Sequence, residues 1–268
     1  MYERIKRFFD DEKIEYFSVL SCQDCRVVRP EIMGRENFTP RSIILFLVPY
    51  YAGETVNISR YAASRDYHIY INNINERLMT NLRSVAPKNH FKGYGDHSPI
   101  DERGAALISG LGILGNNGLI INEKYGSYVF IGEIITDIEP RVLCAVSPKE
   151  PVSCEGCGAC KIACPTGRLI GGDKFCLSEI TQKKGELSDT DVKLMKKVNT
   201  VWGYDECQTC CPHNRSPRIT PIEFFLENRI VNLTREVLDS MDKSEFSTRA
   251  FSWRGRKTVE RNIDYIEK

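Results

Sequence analysis

The apolar positions of this chain follow distinct patterns, and each predicts a different kind of element. Arg41 to Tyr50 (RSIILFLVPY) is an almost unbroken apolar run. Its length and its Ile, Leu and Val content predict a buried strand rather than a helix. Ile71, Ile74, Leu78, Leu82 and Val85 recur at helical spacing and predict an amphipathic helix that stops before Pro87. Gly118 to Asn122 and Tyr128 to Thr136 alternate and are rich in β-formers, which predicts two strands joined by a hairpin-type turn over Glu123 to Ser127. Ile5, Phe8 and Phe9 mark a short first helix, and residues 105–114 read as another, weakened by Gly110 and Gly112. Residues 190–200 read as a helix capped by Ser188 or Thr190, and the chain is helical again after Pro221.

The pattern breaks at Glu139-Pro140 and again from Pro148 to Pro151. A boundary near residue 145 divides the chain into an N-terminal domain (1–145), a cysteine-rich module (146–220) and a helical segment (221–268) that packs back on the core. The mixture of strands and helices predicts an α+β fold. A net charge of +1 gives no bulk electrostatic pull toward nucleic acid or membrane. The longest apolar stretch, Ile43 to Ala52, falls far short of the roughly 20 residues that span a bilayer. The first residues carry acids and bases with no apolar leader, so the expected location is cytoplasmic, with no membrane partner.

Eleven cysteines are many for a reducing compartment, where clustered thiols read as metal ligands or redox groups. Eight lie between Cys154 and Cys211. Residues 154–165 read C-x2-C-x2-C-x3-C-P, the bacterial ferredoxin run. Two-residue gaps let Cys154, Cys157 and Cys160 reach three corners of one cubane, while Cys164, a helical turn further on, points toward another. Gly156 and Gly158 relieve crowding where the backbone wraps a cluster. A zinc site would leave the terminal Cys-Pro unexplained. Two 4Fe–4S clusters need eight thiolates, and Cys176, Cys207, Cys210 and Cys211 complete the set. Swapped ligation assigns Cys154, Cys157, Cys160 and Cys211 to the first cluster, and Cys164, Cys176, Cys207 and Cys210 to the second. Cys22 and Cys25 form a separate C-x2-C and read as ordinary thiols rather than a redox pair.

With these residues in view, the chain resembles the epoxyqueuosine reductases, cobalamin-dependent iron–sulfur enzymes of tRNA modification. The resemblance runs from about Arg41 to Asn262. It is carried by Ile58-Ser-Arg-Tyr-Ala62, Arg65-Asp-Tyr-His68, Asp96 to Arg103, Gly110 to Gly118, Gly126-Ser127, Ile131-Gly-Glu133, the cysteine run, Phe175 to Thr181, Asp205 to Gln208, Cys211-Pro-His-Asn214 and Arg261-Asn262. More distant relatives are the reductive dehalogenases. Two departures stand out. Tyr204 occupies a position where the family usually has a cysteine, with Cys210 as an extra cysteine nearby that is expected to compensate. The family's Gly-Lys-Asn is Gly115-Asn116-Asn117 here. The resemblance also implies a short form, without the C-terminal helical-repeat domain of longer members.

The resemblance implies a nitroreductase-like cobalamin-binding domain followed by a ferredoxin-like double-cluster module. The reaction it implies is reduction of epoxyqueuosine to queuosine in tRNA. Clusters deliver single electrons, cobalamin can hold two, and a proton donor must serve the departing oxygen. The resemblance places that acid at Asp96, in a Gly-Tyr-Gly-Asp loop, where burial beside a flat cofactor would keep it protonated. It assigns cofactor contacts to Arg60, Tyr61, Asn117, Ser127 and Thr181. Gly110, Gly112 and Gly115 would permit close approach of a flat ligand. The expected partners are a tRNA anticodon loop and a reduced ferredoxin or flavodoxin-type electron donor. Arg249, Arg254, Arg256, Lys257 and Arg261, interleaved with Phe251 and Trp253, suit phosphate contact and base stacking; a solvated helix face would have the same composition. Two other functions stay open at this point: a cobalamin-dependent reductase of a small molecule, including reductive dehalogenation, and a non-enzymatic 4Fe–4S electron carrier.

Overall fold

The structure is a computed structural model that describes residues 1–171 and 174–267. The chain forms two compact units, the first from residues 1–49 and 68–156, the second from residues 50–67 and 157 onward.

The first unit is built on a four-stranded antiparallel sheet in the order β1-β2-β6-β3. Its strands are β1 (Phe17–Ser21), β2 (Ser42–Pro49), β3 (Phe91–Gly95) and β6 (Val129–Thr136). All eight residues of β2 are buried, as the unbroken apolar run requires. Ile43, Leu45 and Leu47 pack with Leu20, Ile135 and the helix Glu102–Ile108 on one face. On the other, Phe46 meets Phe9 of the helix Tyr2–Asp11 at a ring separation of 5.0 Å. The helix Tyr67–Arg83 covers β3 on that same face. It comes so close that a Cβ on Gly93 would stand 2.6 Å from the Asn75 side chain.

Two expectations are corrected here. The helix read over residues 105–114 spans Glu102–Ile108. Asp101 caps its start by accepting from Gly104 N, and Gly110, at φ +78°, lies just past its end. The turn between Asn122 and Gly126 forms, closed by paired backbone bonds of 2.8 and 2.9 Å. Its flanking strands do not pair, however: β5 (Ile120–Ile121) joins β4 (Ile113–Leu114), while β6 lies in the main sheet. A two-residue strand is too short to compete for the long, fully buried β2.

The second unit consists of short helices around Trp202, Phe251, Leu238, Val259 and Ile263. The helix Asp189–Val198 starts at Ser188, whose hydroxyl accepts from Asp191 N. Asn262, fully buried on the helix Arg256–Glu267, donates to the carbonyls of Thr181 and Val201 and ties three segments together. A smaller cluster of Leu177, Ile180 and Met195 packs against Tyr204. Among the described residues no helix is long and apolar enough to cross a membrane.

Candidate functional site

The cysteine module takes its shape from short helices and left-handed glycines. Cys160 lies on the helix Ala159–Ala163 and Cys207 on Glu206–Thr209, and these two helices pack together. Gly156 and Gly158 take φ of +73° and +78°, and a Cβ on Gly158 would meet nothing within 4 Å, so open space lies beside this loop. None of the eight cysteines is in a disulfide. Cys164 would be pushed up by burial, but bonds from Thr166 and nearby backbone hold it below the ordinary thiol value. Burial raises Cys176, with a further push from neighbouring Cys164. Burial also raises Cys210, with Glu206, Cys160 and Cys211 as repelling neighbours. Tyr204 is raised by burial and by Glu206, Cys164, Cys207 and Cys210.

These neighbourhoods bring Cys164 and Cys176 together, Cys160 with Cys210 and Cys211, and Tyr204 with Cys164, Cys207 and Cys210. Cys154 precedes Cys157 by three residues of chain. Among the described residues no three His, Cys, Asp or Glu side chains are gathered as one metal ion would require. Around a single zinc ion, thiolates at about 2.3 Å would stand about 3.8 Å apart. Thiolates at the corners of a cubane stand farther apart, because four irons lie between them. Paired thiols with open space beside a glycine loop fit the larger group.

The first unit carries the acids. Asp96 directly follows β3 with φ +70°, a left-handed conformation unusual outside glycine and enriched in Asp. Its carboxylate is not buried; 66% of the side chain is exposed, 3.9 Å from His68 Nε2. The burial expected of Asp96 is found instead at Glu133, and in part at the half-buried Glu102, two acids that sequence reasoning does not single out as site residues. Glu133, in the middle of β6, is fully buried. Its Oε1 accepts from Ser98 Oγ and its Oε2 has no partner. Glu102 opens the helix Glu102–Ile108 and also buries an unpartnered Oε2. Burial lifts Glu133 to about 7. Burial and repulsion by Glu133 and Asp96 lift Glu102 to about 8. The one signal in the sequence is an acid inside the otherwise uncharged strand VFIGEIIT.

Other expected contacts are placed as follows. Asn117 turns its Oδ1 to Leu119 N at 3.3 Å, and Ser127 is buried. Arg60 pairs with Asp205 and Glu54 and reaches Thr209 at 3.2 Å, lining a cavity of about 330 Å³ with Tyr204 and Asp205. The Tyr61 hydroxyl accepts from Trp202 Nε1 at 2.9 Å. Thr181 is held within the second unit. It is fully buried, and its hydroxyl donates to Ser178 O at 2.8 Å and accepts from Gly203 N at 3.0 Å. Gly112 and Gly115 also serve the fold. A Cβ there would strike Ile121 O at 2.6 Å and Asn117 Oδ1 at 2.5 Å, so their lack of side chain is explained by the β4–β5 turn itself. Cys22 and Cys25 are pushed by burial to about 12, which fits ordinary thiols.

The basic stretch is largely internal. Arg249 is buried and donates to Asn228 O at 2.6 Å, Arg256 donates to Leu238 O and Met241 O, and Arg261 to Lys183 O and Gly185 O. Lys257 is exposed. Arg254 stacks 3.7 Å over the ring of the exposed Trp253.

Comparison with known proteins bears on both units. A family model described as epoxyqueuosine reductase QueG, DUF1730, matches residues 37–97. The epoxyqueuosine reductase of Listeria monocytogenes is 31% identical over 262 residues, covering 89% of this chain and 66% of its own. That of Staphylococcus aureus is 31% identical over 214 residues, covering 76% and 54%. This chain thus spans about half to two thirds of these relatives' length. The solved epoxyqueuosine reductase of Streptococcus thermophilus superimposes with a TM-score of 0.74 at 26% identity, over 98% of this chain and 80% of that one. The Bacillus subtilis structure shares the fold, with a TM-score of 0.77 at 22% identity, over 99% and 81%. The motifs around Asp96, the cysteine run and these matches converge, and the chain belongs to the epoxyqueuosine reductase family.

Proposed function

We propose that this protein reduces epoxyqueuosine to queuosine in tRNA, using two 4Fe–4S clusters and cobalamin. The observation that carries the reading is that a chain of this family holds both a thiol-rich module and a solvent-facing aspartate on a pinned loop. Overall the reaction consumes two electrons and two protons. Both carbon–oxygen bonds of the epoxide break, the carbon–carbon double bond forms, and the oxygen leaves as water. The electrons come from a reduced ferredoxin or flavodoxin-type donor. Bound cobalamin supplies two-electron reducing power.

The chain's own residues do the rest. Cys157, Cys160 and Cys211, with Cys154 upstream, hold the first cluster; Cys164, Cys176, Cys207 and Cys210 hold the second. Cys210 takes the place of the ligand absent at Tyr204; the shared neighbourhood of Tyr204, Cys164, Cys207 and Cys210 supports this. Asp96, open to solvent, delivers protons to the departing oxygen. Arg60, Tyr61, Asn117 and Ser127 are proposed to face the cofactor or substrate. A solved epoxyqueuosine reductase of this fold carries an epoxyqueuosine-modified tRNA-Tyr stem loop. An anticodon loop offers unstacked bases to a compact cleft, and we assign that loop as the partner here.

The test is anaerobic reconstitution with iron, sulfide and cobalamin, followed by incubation with an epoxyqueuosine-containing anticodon stem-loop and with whole tRNA. Loss of one oxygen from the modified base, read by mass spectrometry, is expected on both. Full cofactor content without conversion of either RNA would shift the assignment to a small-molecule reductase.

A further inference from the structure

The stoichiometry of the proposed reaction leaves a question that the exposed aspartate alone does not answer. Making an alkene and water from an epoxide takes two protons, and one carboxyl group carries one. Asp96 must therefore be reloaded within each turnover. Resting on that reading of the function, we propose that Glu102 and Glu133 are a built-in proton reserve that reloads Asp96 through the loop of residues 96–101.

The geometry of one short loop supports this. Asp96 begins it, Ser98 lies in its middle, and Glu102 follows its end at the start of the helix Glu102–Ile108. The loop is pinned. Arg29 Nη1 donates to Ser98 O at 2.6 Å, Val28 N and Arg29 N donate to Pro99 O, and Asp101 N donates to Arg26 O. Ser98 is fully buried; its Oγ accepts from Ile100 N at 3.0 Å and donates to Glu133. The Ser98 hydroxyl thus ties the loop that Asp96 begins to the Glu133 carboxyl.

Glu133 is the more telling acid. It stands on the sheet face that packs against the helix Glu102–Ile108, opposite Leu45 on one side and Tyr94 on the other. Ile43, Leu45 and Ile135 line the same apolar face. Neither Glu133 nor Glu102 has an ion-pair partner among the described residues, and each keeps one buried oxygen unpartnered. An unpaired buried carboxylate is costly; as a neutral acid, the same group tolerates the site and carries a transferable proton. The ionisable groups facing the pair are Cys22, Cys25, Tyr94, Asp96, Arg29 and Arg103. The thiols and Tyr94 carry no positive charge in either protonation state, and Arg29 and Arg103 offset only part of the rise at Glu102. Both acids are raised toward neutrality, where an acid can give up its proton and take it back.

The test has a readout independent of turnover. Infrared spectra of the intact protein near pH ~6.5, below both raised values, should show the carbonyl stretch of protonated carboxylic acids. Glu102→Gln and Glu133→Gln should each remove part of it. In the reconstituted enzyme, Glu102→Gln should lower turnover, by less than the roughly hundredfold expected for loss of Asp96, and enlarge the solvent isotope effect. It should also move the alkaline limb of the pH profile, with substrate affinity unchanged and Glu102→Asp restoring part of the rate. Ser98→Ala, which keeps both acids but breaks the bridge, should slow turnover in the same way, and it serves where Glu133→Gln fails to fold. Absence of the acid bands in the wild type, or a wild-type pH profile and isotope effect in Glu102→Gln, would overturn the proposal. A wild type that shows the bands but converts no epoxide overturns the functional reading, and the reserve's task with it.

Discussion

The two units handle chemistry in opposite ways. In the second, the reactive groups sit close together in sequence: three thiols from Cys157 to Cys164 and three more from Cys207 to Cys211, carried on short helices with little regular scaffold. In the first, the acids come from a strand, a loop and a helix start, brought together by a sheet whose central strand is buried throughout. Metal ligation by a tight loop is a local property, so its spacing appears in the sequence. A displaced carboxylate equilibrium is a property of surroundings, and those exist only after folding.

Breaking the local half should have the largest effect. Cys157→Ser is expected to remove one cluster, about four of eight irons, and abolish turnover, as checked by iron and sulfide analysis. Cys210→Ser should damage the second cluster by a similar amount, because Tyr204 stands where another thiolate would serve. Full iron in that variant would break the compensation assigned to Cys210. Next in size is Asp96→Asn. It should retain iron and cobalamin while losing about two orders of magnitude in turnover. A near-normal rate would remove Asp96 as the proton donor.

The same contrast explains how much of the molecule is legible in its sequence. The buried strand at residues 42–49, the helix over 67–83 and the capped helix at 189–198 follow from pattern alone. β3 does not, because its sequence FKGYG holds two glycines that disfavour a strand. The glycines are there because the helix Tyr67–Arg83 presses Asn75 and Ile71 into the space their side chains would fill, a requirement no local window contains. The candidate chemistry divides likewise: the run from Cys154 to Cys164 stands out by its spacing, whereas Glu102 and Glu133 escape notice because burial, not residue type, makes them unusual. The basic stretch shows the reverse error. Arg249, Arg256 and Arg261 look like a phosphate-binding face, yet backbone carbonyls take up their donors.

A smaller effect sharpens the non-local half. Glu133 has a folded value of about 7, above the roughly 4.3 of an unfolded glutamate. Between these values the folded state binds the extra proton, so stability falls as pH rises from about 4.3 toward 7 and levels off above. With about 1.4 kcal/mol per unit, the loss approaches ~4 kcal/mol for a fully buried group. Denaturant titrations at stepped pH should show this slope in the wild type and a flatter one in Glu133→Gln. Identical slopes would mean that Glu133 is not held protonated.

The smallest effect concerns RNA. Of the basic stretch, Arg254 and Lys257 are the residues left to meet phosphates, beside an exposed Trp253 ring that can stack on a base. Charge reversal at Arg254 and Lys257 together should raise the Michaelis constant for the stem-loop several-fold with turnover number unchanged, the pattern expected when uniform binding is removed. It should also reduce the slope of log affinity against log salt by roughly 0.7 for each single-strand phosphate that the variant no longer neutralises. Reversal at Arg256 is the contrasting control. Its guanidinium holds the carbonyls of Leu238 and Met241, so that change should lower the melting temperature before it changes RNA binding. An unaltered Michaelis constant and salt slope in the Arg254 and Lys257 variant would place the RNA on another surface.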